Sequence, residues 1–323
     1  MERQILVPLD GSGLAEAVLP HAARLAQATA SSLQLIRVVA PPTVAPSLAW
    51  PMPAPVNIER WLEVERSSAD TYLDLVAGML AKEGVVARTT VLEGDPATCI
   101  IGFARENASI REIAMASHGR SGVARWIMGS VAERVLQATP VPLLVVRAAA
   151  DDAAVELKQP RLPLKLEPKY QTILVPLDGS RFAEQALGLA RLIADHQQAT
   201  LMLVSVVPFL DEVGLAEGGV VPLWGVNAQQ TARAHAIEYL DKTAAQLAEA
   251  GLQVRTRWID GDPAETIAAI ASEEDVDLIA MSTHGRSGIS RLWLGSVANR
   301  VIRRADQPVL LVRAEEEKRQ RGV

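Results

Sequence analysis

Two kinds of stretch alternate along this chain. Short runs are apolar on consecutive residues, and longer stretches carry apolar residues every three or four positions. The first kind reads as a strand covered on both faces, the second as an amphipathic helix. Gln4 to Leu9 is predicted as the first strand. A helix follows from about Ser12 to Ala28, with Leu14, Val18, Ala22 and Leu25 on its apolar face. Leu33 to Val39 is the second strand, and Pro41 to Pro55 is too proline-dense for helix or central strand. A long helix spans Ile58 to Lys82, with Gly84 placed to end it. Val86 to Leu92 is the third strand, and a helix begins near Pro96, where proline suits a first helical turn. Glu112 to Ser117 is the fourth strand, a helix starts at Ser130, and Leu143 to Arg147 is the fifth strand. This order predicts an α/β fold: a doubly wound parallel five-stranded sheet with helices on both faces.

The whole pattern occurs twice. Ile5-Leu6-Val7-Pro8-Leu9-Asp10-Gly11-Ser12 returns unchanged as residues 173–180. Gly94-Asp95-Pro96 returns as Gly261-Asp262-Pro263, and His118-Gly119-Arg120-Ser121-Gly122 returns as residues 284–288. The period is far too long for a solenoid, so a whole domain has been duplicated. The second copy has strands near residues 171–177, 200–207, 253–259, 277–283 and 308–313. Its counterpart to the proline-rich insert is Pro208 to Val226. The predicted organisation is a first domain over residues 1–148, a linker over 149–168, a second domain over 169–314 and a charged tail over 315–323.

Composition narrows the function. Of 323 residues, 49% are hydrophobic, enough for two cores, and the net charge is −6, which disfavours a nucleic-acid partner. The single cysteine, Cys99, allows no internal disulfide and lies in an apolar run, as a buried structural thiol would. Met1-Glu2-Arg3-Gln4 leads straight into Ile5-Leu6-Val7 with no secretory leader pattern, and no apolar run approaches the roughly 18 residues of a membrane span. A cytoplasmic protein without membrane association is expected.

The candidate chemistry lies at the carboxyl ends of the strands. Asp10 and Asp178 end the first strand of each copy. Ligands of open α/β sheets bind there, in the crevice where the strand order reverses. Asp-Gly-Ser is equally a turn followed by a helix cap. Gly129-Ser130 and Gly295-Ser296 open the fourth helix of each copy. There a glycine admits a phosphate to the backbone, and helix N–H groups bind its oxygens. Helix capping is the plainer alternative, and Ser130-Val131-Ala132-Glu133 has the sequence of a capping box. Arg120 and Arg286 can reach phosphate or solvent, and Trp126 and Trp293 read as packing anchors rather than stacking platforms.

Several chemistries are disfavoured. Gly11-Ser12-Gly13 fails as a dinucleotide fingerprint, because the third glycine falls at Glu16 and the second copy has Arg181 in place of Gly13. There is no GxxxxGK[ST] loop. Neither His118 nor His284 has partners at metal-ligand spacing. Ser117, His118 and Asp10 can be written as a triad, but neighbouring Ser and His at a strand end point to opposite sides.

These residues resemble the universal stress protein family in a tandem two-domain form. That family's nucleotide motif is Gly, two residues, Gly, nine residues, Gly, then Ser or Thr. Gly119 with Gly129-Ser130 and Gly285 with Gly295-Ser296 fit its second part, while Ala116 and Ser282 stand where its first glycine would be. The resemblance implies strand order 3-2-1-4-5 and ATP or AMP lying across the first and fourth strands, with Mg2+ admissible at the phosphates. In the first copy it implies Pro8, Leu9, Asp10 and Val38 near the adenosine. Met115, Ala116, Gly119, Arg120, Gly129, Ser130 and Val131 would lie near ribose and phosphates. In the second copy the matching positions are Pro176, Leu177, Asp178 and Val206. With them go Met281, Ser282, Gly285, Arg286, Gly295, Ser296 and Val297. It further implies an intramolecular pseudo-dimer through the fifth strands, whose apolar edges invite pairing, and leaves a homodimer open. The expectation is an adenine-nucleotide-binding stress protein that acts by binding and is not an enzyme. A slow ATPase or phosphoryl-transfer enzyme and a nucleotide-free scaffold are the alternatives.

Overall fold

The structure, a computed structural model, describes residues 2–40, 57–117, 128–148, 169–209, 223–283 and 294–313. The chain divides into two units, Met1–Glu167 and Pro168–Val323, here domain 1 and domain 2. Gly119, Arg120, Trp126, Gly285, Arg286 and Trp293 lie outside the described residues, as do His118 and His284, the tail and the whole linker.

Domain 1 runs β1 (Gln4–Pro8), α1 (Gly13–Glu16), α2 (Leu19–Ala28), β2 (Ser32–Val39), α3 (Ile58–Lys82), β3 (Ala87–Glu93), α4 (Pro96–Glu106), β4 (Ile110–Ser117), α5 (Ser130–Ala138) and β5 (Leu143–Arg147). Domain 2 runs β6 (Thr172–Pro176), α6 (Arg181–Gln197), β7 (Thr200–Val207), α7 (Leu223–Glu249), β8 (Val254–Asp260), α8 (Pro263–Glu273), β9 (Leu278–Ser282), α9 (Ser296–Arg304) and β10 (Val309–Val312). The strands of domain 1 lie in the order β3-β2-β1-β4-β5, and those of domain 2 in the matching order β8-β7-β6-β9-β10. Within each domain the described pairings are parallel.

The central strands are apolar on consecutive residues because both faces are covered. Ile5, Leu6 and Val7 are fully buried, as are Ile173, Leu174 and Val175. α3 turns Ala69, Tyr72, Leu73, Val76 and Leu80 to the sheet, a helical spacing that makes one continuous apolar face. Each large aliphatic side chain so buried contributes roughly 1.5–3 kcal/mol. The β1–β4 ladder runs only from Gln4↔Ile110 to Leu6↔Ile113, and β6–β9 only to Leu174↔Ile279. Beyond those pairs the strands part toward their carboxyl ends. The crevice of each domain is therefore built into the sheet at the point where strand order reverses.

Three local expectations are corrected. The helix expected from Ser12 to Ala28 is broken at Ala17-Val18. Pro20 lacks the N–H that would bond back to Glu16, so the chain makes Ala17 N to Leu14 O and Val18 N to Ala15 O turns before restarting. Domain 2 has Gly188 at that position, and α6 is continuous. Second, α7 begins at Leu223, inside the stretch expected to remain an insert up to Val226. Third, Cys99 is half-buried rather than fully buried; its thiol donates to the Glu93 carbonyl at 3.5 Å, and burial pushes its pKa up. Among the described residues no helix is long and apolar enough to cross a membrane.

Candidate functional site

A cavity of about 560 Å³ opens at the carboxyl ends of the domain 2 strands. Pro176, Leu177 and Asp178 supply one wall, from the end of β6 and its turn. The Leu177 N–H donates to Val204 O at 2.8 Å, which ties this turn to β7. Gly179 has φ +80, a left-handed conformation that favours glycine, so it reverses the chain directly after Asp178. Asp178 Oδ1 accepts from Ser180 N–H at 2.9 Å, and Ser180 Oγ accepts from Ala183 N–H at 3.1 Å, capping α6. Domain 1 repeats this turn: Asp10 Oδ1 accepts from Ser12 N–H at 2.9 Å, Ser12 Oγ accepts from Ala15 N–H at 3.1 Å, and Gly11 has φ +85. The turn-and-cap role of Asp-Gly-Ser is thus present in both copies. In domain 2 the same aspartate also lines the cavity.

The opposite wall is the end of β9 and the start of α9: Met281, Ser282, Thr283, Gly295, Ser296, Val297 and Ala298. Gly295 N–H donates to Thr283 O at 2.6 Å, holding the helix start against the strand end. Gly295 is the N-cap, with φ −64 and ψ 153 and no side-chain cap. Gly129 is the N-cap of α5 with nearly the same angles, −61 and 149, and again no side-chain cap. Ser130 is therefore the first helical residue, and the capping box expected from Ser130 to Glu133 is not formed. These angles are open to any residue, so backbone conformation does not explain either glycine. What glycine provides at both positions is an N-terminus with no side chain over it, where an anion can approach the backbone.

An ion pair fixes this helix in each copy. Arg300 makes two bonds of 2.8 Å to the Asp262 carboxylate, which also accepts from Glu265 N–H and so caps α8. Arg134 bonds Asp95 at 2.9 Å in the same way, and Asp95 caps α4. The arginine hydrogen bonds, followed by those within the cap, hold both carboxyls below the usual aspartate range. In domain 2, Arg233 and Gln229 bond Asp260 at 3.0 and 2.8 Å, which locks α7 to the end of β8. That helix presents Ala232, His235 and Ala236 to the cavity.

Pro176, Leu177, Asp178, Val206, Met281, Ser282, Gly295, Ser296 and Val297 thus line one cavity. In domain 1, Pro8, Leu9, Asp10, Val38, Met115 and Ala116 lie at the carboxyl ends of β1, β2 and β4 or just beyond them. Gly129, Ser130 and Val131 stand at the start of α5. Sequence reasoning missed Ser205, Ala232, His235, Pro263 and Ile267, which also line the domain 2 cavity. The helical spacing of residues 232, 235 and 236 was a signal for their shared face, but nothing in it marked that face as part of a crevice. Among the described residues no cluster of His, Cys, Asp and Glu could hold a metal ion.

The fold and its crevices define an open α/β protein built twice, with a cavity at the switch point of domain 2. The family can be named as well. Residues 1–147 and 169–313 each match the universal stress protein family, and the chain belongs to it. A universal stress protein of Mycolicibacterium smegmatis is 28% identical over 317 residues, 97% of both chains. One from Methanocaldococcus jannaschii is 36% identical over 145 residues, 45% of this chain and 82% of that protein. The crystal structure of a universal stress protein from Archaeoglobus fulgidus superposes with a TM-score of 0.65 at 23% identity, covering 96% of this chain and 98% of that one, a likeness of fold.

Proposed function

We propose that this protein binds an adenine nucleotide, ATP or AMP, in the strand-end crevice and acts by binding rather than turnover. The observation that carries this reading is the domain 2 cavity. Its walls are mostly apolar, as a purine requires, and it ends at the unblocked N-terminus of α9, as a phosphate requires. Val206 and Leu177 face the base, Asp178 accepts from a ribose hydroxyl, and Gly295, Ser296 and Val297 hold the phosphates. Gly285, Arg286 and their domain 1 counterparts Gly119 and Arg120 belong to the same site by sequence. Mg2+ would reach this protein with the phosphates, since the described side chains offer no cluster for it. A cytoplasmic location and pairing of the domains through their fifth strands belong to the same proposal.

Mass spectrometry of small molecules released on denaturing the purified protein tests the ligand. Calorimetry of a Gly129→Val, Gly295→Val double variant tests the site. The expected result is a released adenine nucleotide in the first and loss of ATP binding with an unchanged melting temperature in the second. Unchanged affinity in the double variant would remove the site assignment.

A further inference from the structure

The two crevices are framed by corresponding backbone but differ in what lines them. Tyr72 on α3 and Tyr239 on α7 set the correspondence: each hydroxyl donates at 3.0 Å to the first-helix glutamate of its domain, Glu16 or Glu184. Counting back from these pairs, Ser205, Ala232 and His235 of the domain 2 cavity stand where domain 1 has Arg37, Glu65 and Ser68.

Arg37 does not point away from its crevice. Its guanidinium lies against the turn after β1, with Nη1 3.0 Å and Cζ 3.3 Å from the place a Cβ on Gly11 would take. The same group stands 5.4 Å from the centre of the Tyr72 ring, a cation–π distance. The consequence is visible in exposure. Gly11, Glu16 and Tyr72 are buried in domain 1. Their counterparts Gly179 and Glu184 are exposed, and Tyr239 is half-buried. The side chain at the Arg37 position thus covers the Gly11–Glu16–Tyr72 side of the turn in domain 1, while Asp10 at its rim stays exposed and Asp178 is half-buried. Glu65 adds a carboxylate at the position where domain 2 has the uncharged Ala232, which disfavours a polyanion there.

We propose that Arg37 is a specificity-determining residue that keeps the domain 1 crevice shut to adenine nucleotide, so that the chain carries one operating nucleotide site, in domain 2. This rests on the nucleotide reading above. A nucleotide entering domain 1 must displace a guanidinium that lies over a buried ring and against the Gly11 turn. In domain 2 the small Ser205 asks for no such displacement. The duplication has thus left two copies of one fold with different tasks.

The test is calorimetric titration of ATP into nucleotide-stripped full-length protein. Wild type is expected to bind one equivalent per chain, Arg37→Ser to bind two, and Ser205→Arg to lose its one, each with melting behaviour that shows an intact fold. Three results would overturn the proposal: two equivalents in wild type, an unchanged count in Arg37→Ser, or undiminished binding in Ser205→Arg. Absence of binding in wild type and Arg37→Ser alike would instead overturn the nucleotide reading on which it rests.

Discussion

Tyr72 and Tyr239 occupy the same place in two copies of one fold, yet the first lies buried beneath a guanidinium and the second is half-buried. In both, burial and the bonded glutamate push the phenol pKa up, so each hydroxyl is a fixed donor. The frame has been kept and the contents have changed. The Asp95–Arg134 and Asp262–Arg300 pairs, the left-handed glycine after each strand-end aspartate and the uncapped Gly-Ser helix start recur in both domains. What differs is side chains at the ends of β2 and β7 and on the inner faces of α3 and α7. A duplicated domain can therefore lose or gain a ligand without altering its fold, because the crevice is made by strand divergence and tuned by residues that the core does not need.

Among the described residues, domain 1 carries buried charges that domain 2 lacks, and these provide the largest expected contrasts. Glu112 is buried in β4 and paired with Arg3; burial pushes its pKa up against the pull of that arginine. Domain 2 has Leu278 and Gln171 at these positions. Arg3→Ala should take away the hydrogen-bonded partner of a buried carboxylate and lower domain 1 stability, by less than the roughly 3–5 kcal/mol of a fully buried pair because Arg3 is a third exposed and Arg111 remains. The Arg3→Gln, Glu112→Leu pair, which copies domain 2, should recover most of that loss. Urea unfolding followed on both variants measures the difference.

Next in size is an acid effect confined to domain 1. His21 is held down to about 4 by burial and by the neighbouring Arg24 charge, and Leu189 takes its place in domain 2. A histidine with a depressed folded pKa binds fewer protons folded than unfolded. Its contribution is therefore complete above about 6.5 and is lost as pH falls toward 4. The loss amounts to about 3 kcal/mol at most. His21→Leu should flatten that slope of stability between pH 6.5 and 4, and a pH series of thermal melts would show it.

The smallest contrast concerns the ion pairs that hold α5 and α9 to the caps of α4 and α8. Asp262→Asn should weaken ATP binding about tenfold, or ~1.4 kcal/mol. Asp95→Asn should leave it unchanged, since the domain 1 crevice is shut. Equal effects of the two substitutions in a fluorescence or calorimetric titration would contradict the asymmetry between the domains.

Much of this was legible before any coordinates. Parallel strands buried on both faces announce themselves as unbroken apolar runs, so the strands of both domains stand within two residues of their predicted bounds. The duplication offered an internal control that set Gly129-Ser130 and Gly295-Ser296 apart from Gly13. Less legible were features that depend on a neighbour brought in by the fold. Pro20 breaks a helix whose apolar spacing continues across the break. Ser130 looks like a cap in sequence, but Gly129 takes that position. Ser205 and His235 belong to no motif; only the packing of α7 over β7 brings them to the cavity. Arg37 against Ser205 could have been noticed by laying the copies side by side, but its meaning required knowing that the guanidinium turns inward onto Gly11.

The most direct test of the account is a crystal structure of the full-length protein grown with ATP. The expected result is one nucleotide per chain in the domain 2 crevice, its base beside Val206, its ribose at Asp178 and a phosphate oxygen within hydrogen-bond distance of the Ser296 N–H, with Arg37 still stacked on Tyr72. ATP bound away from that crevice, or a crevice left empty at saturating nucleotide, would contradict it.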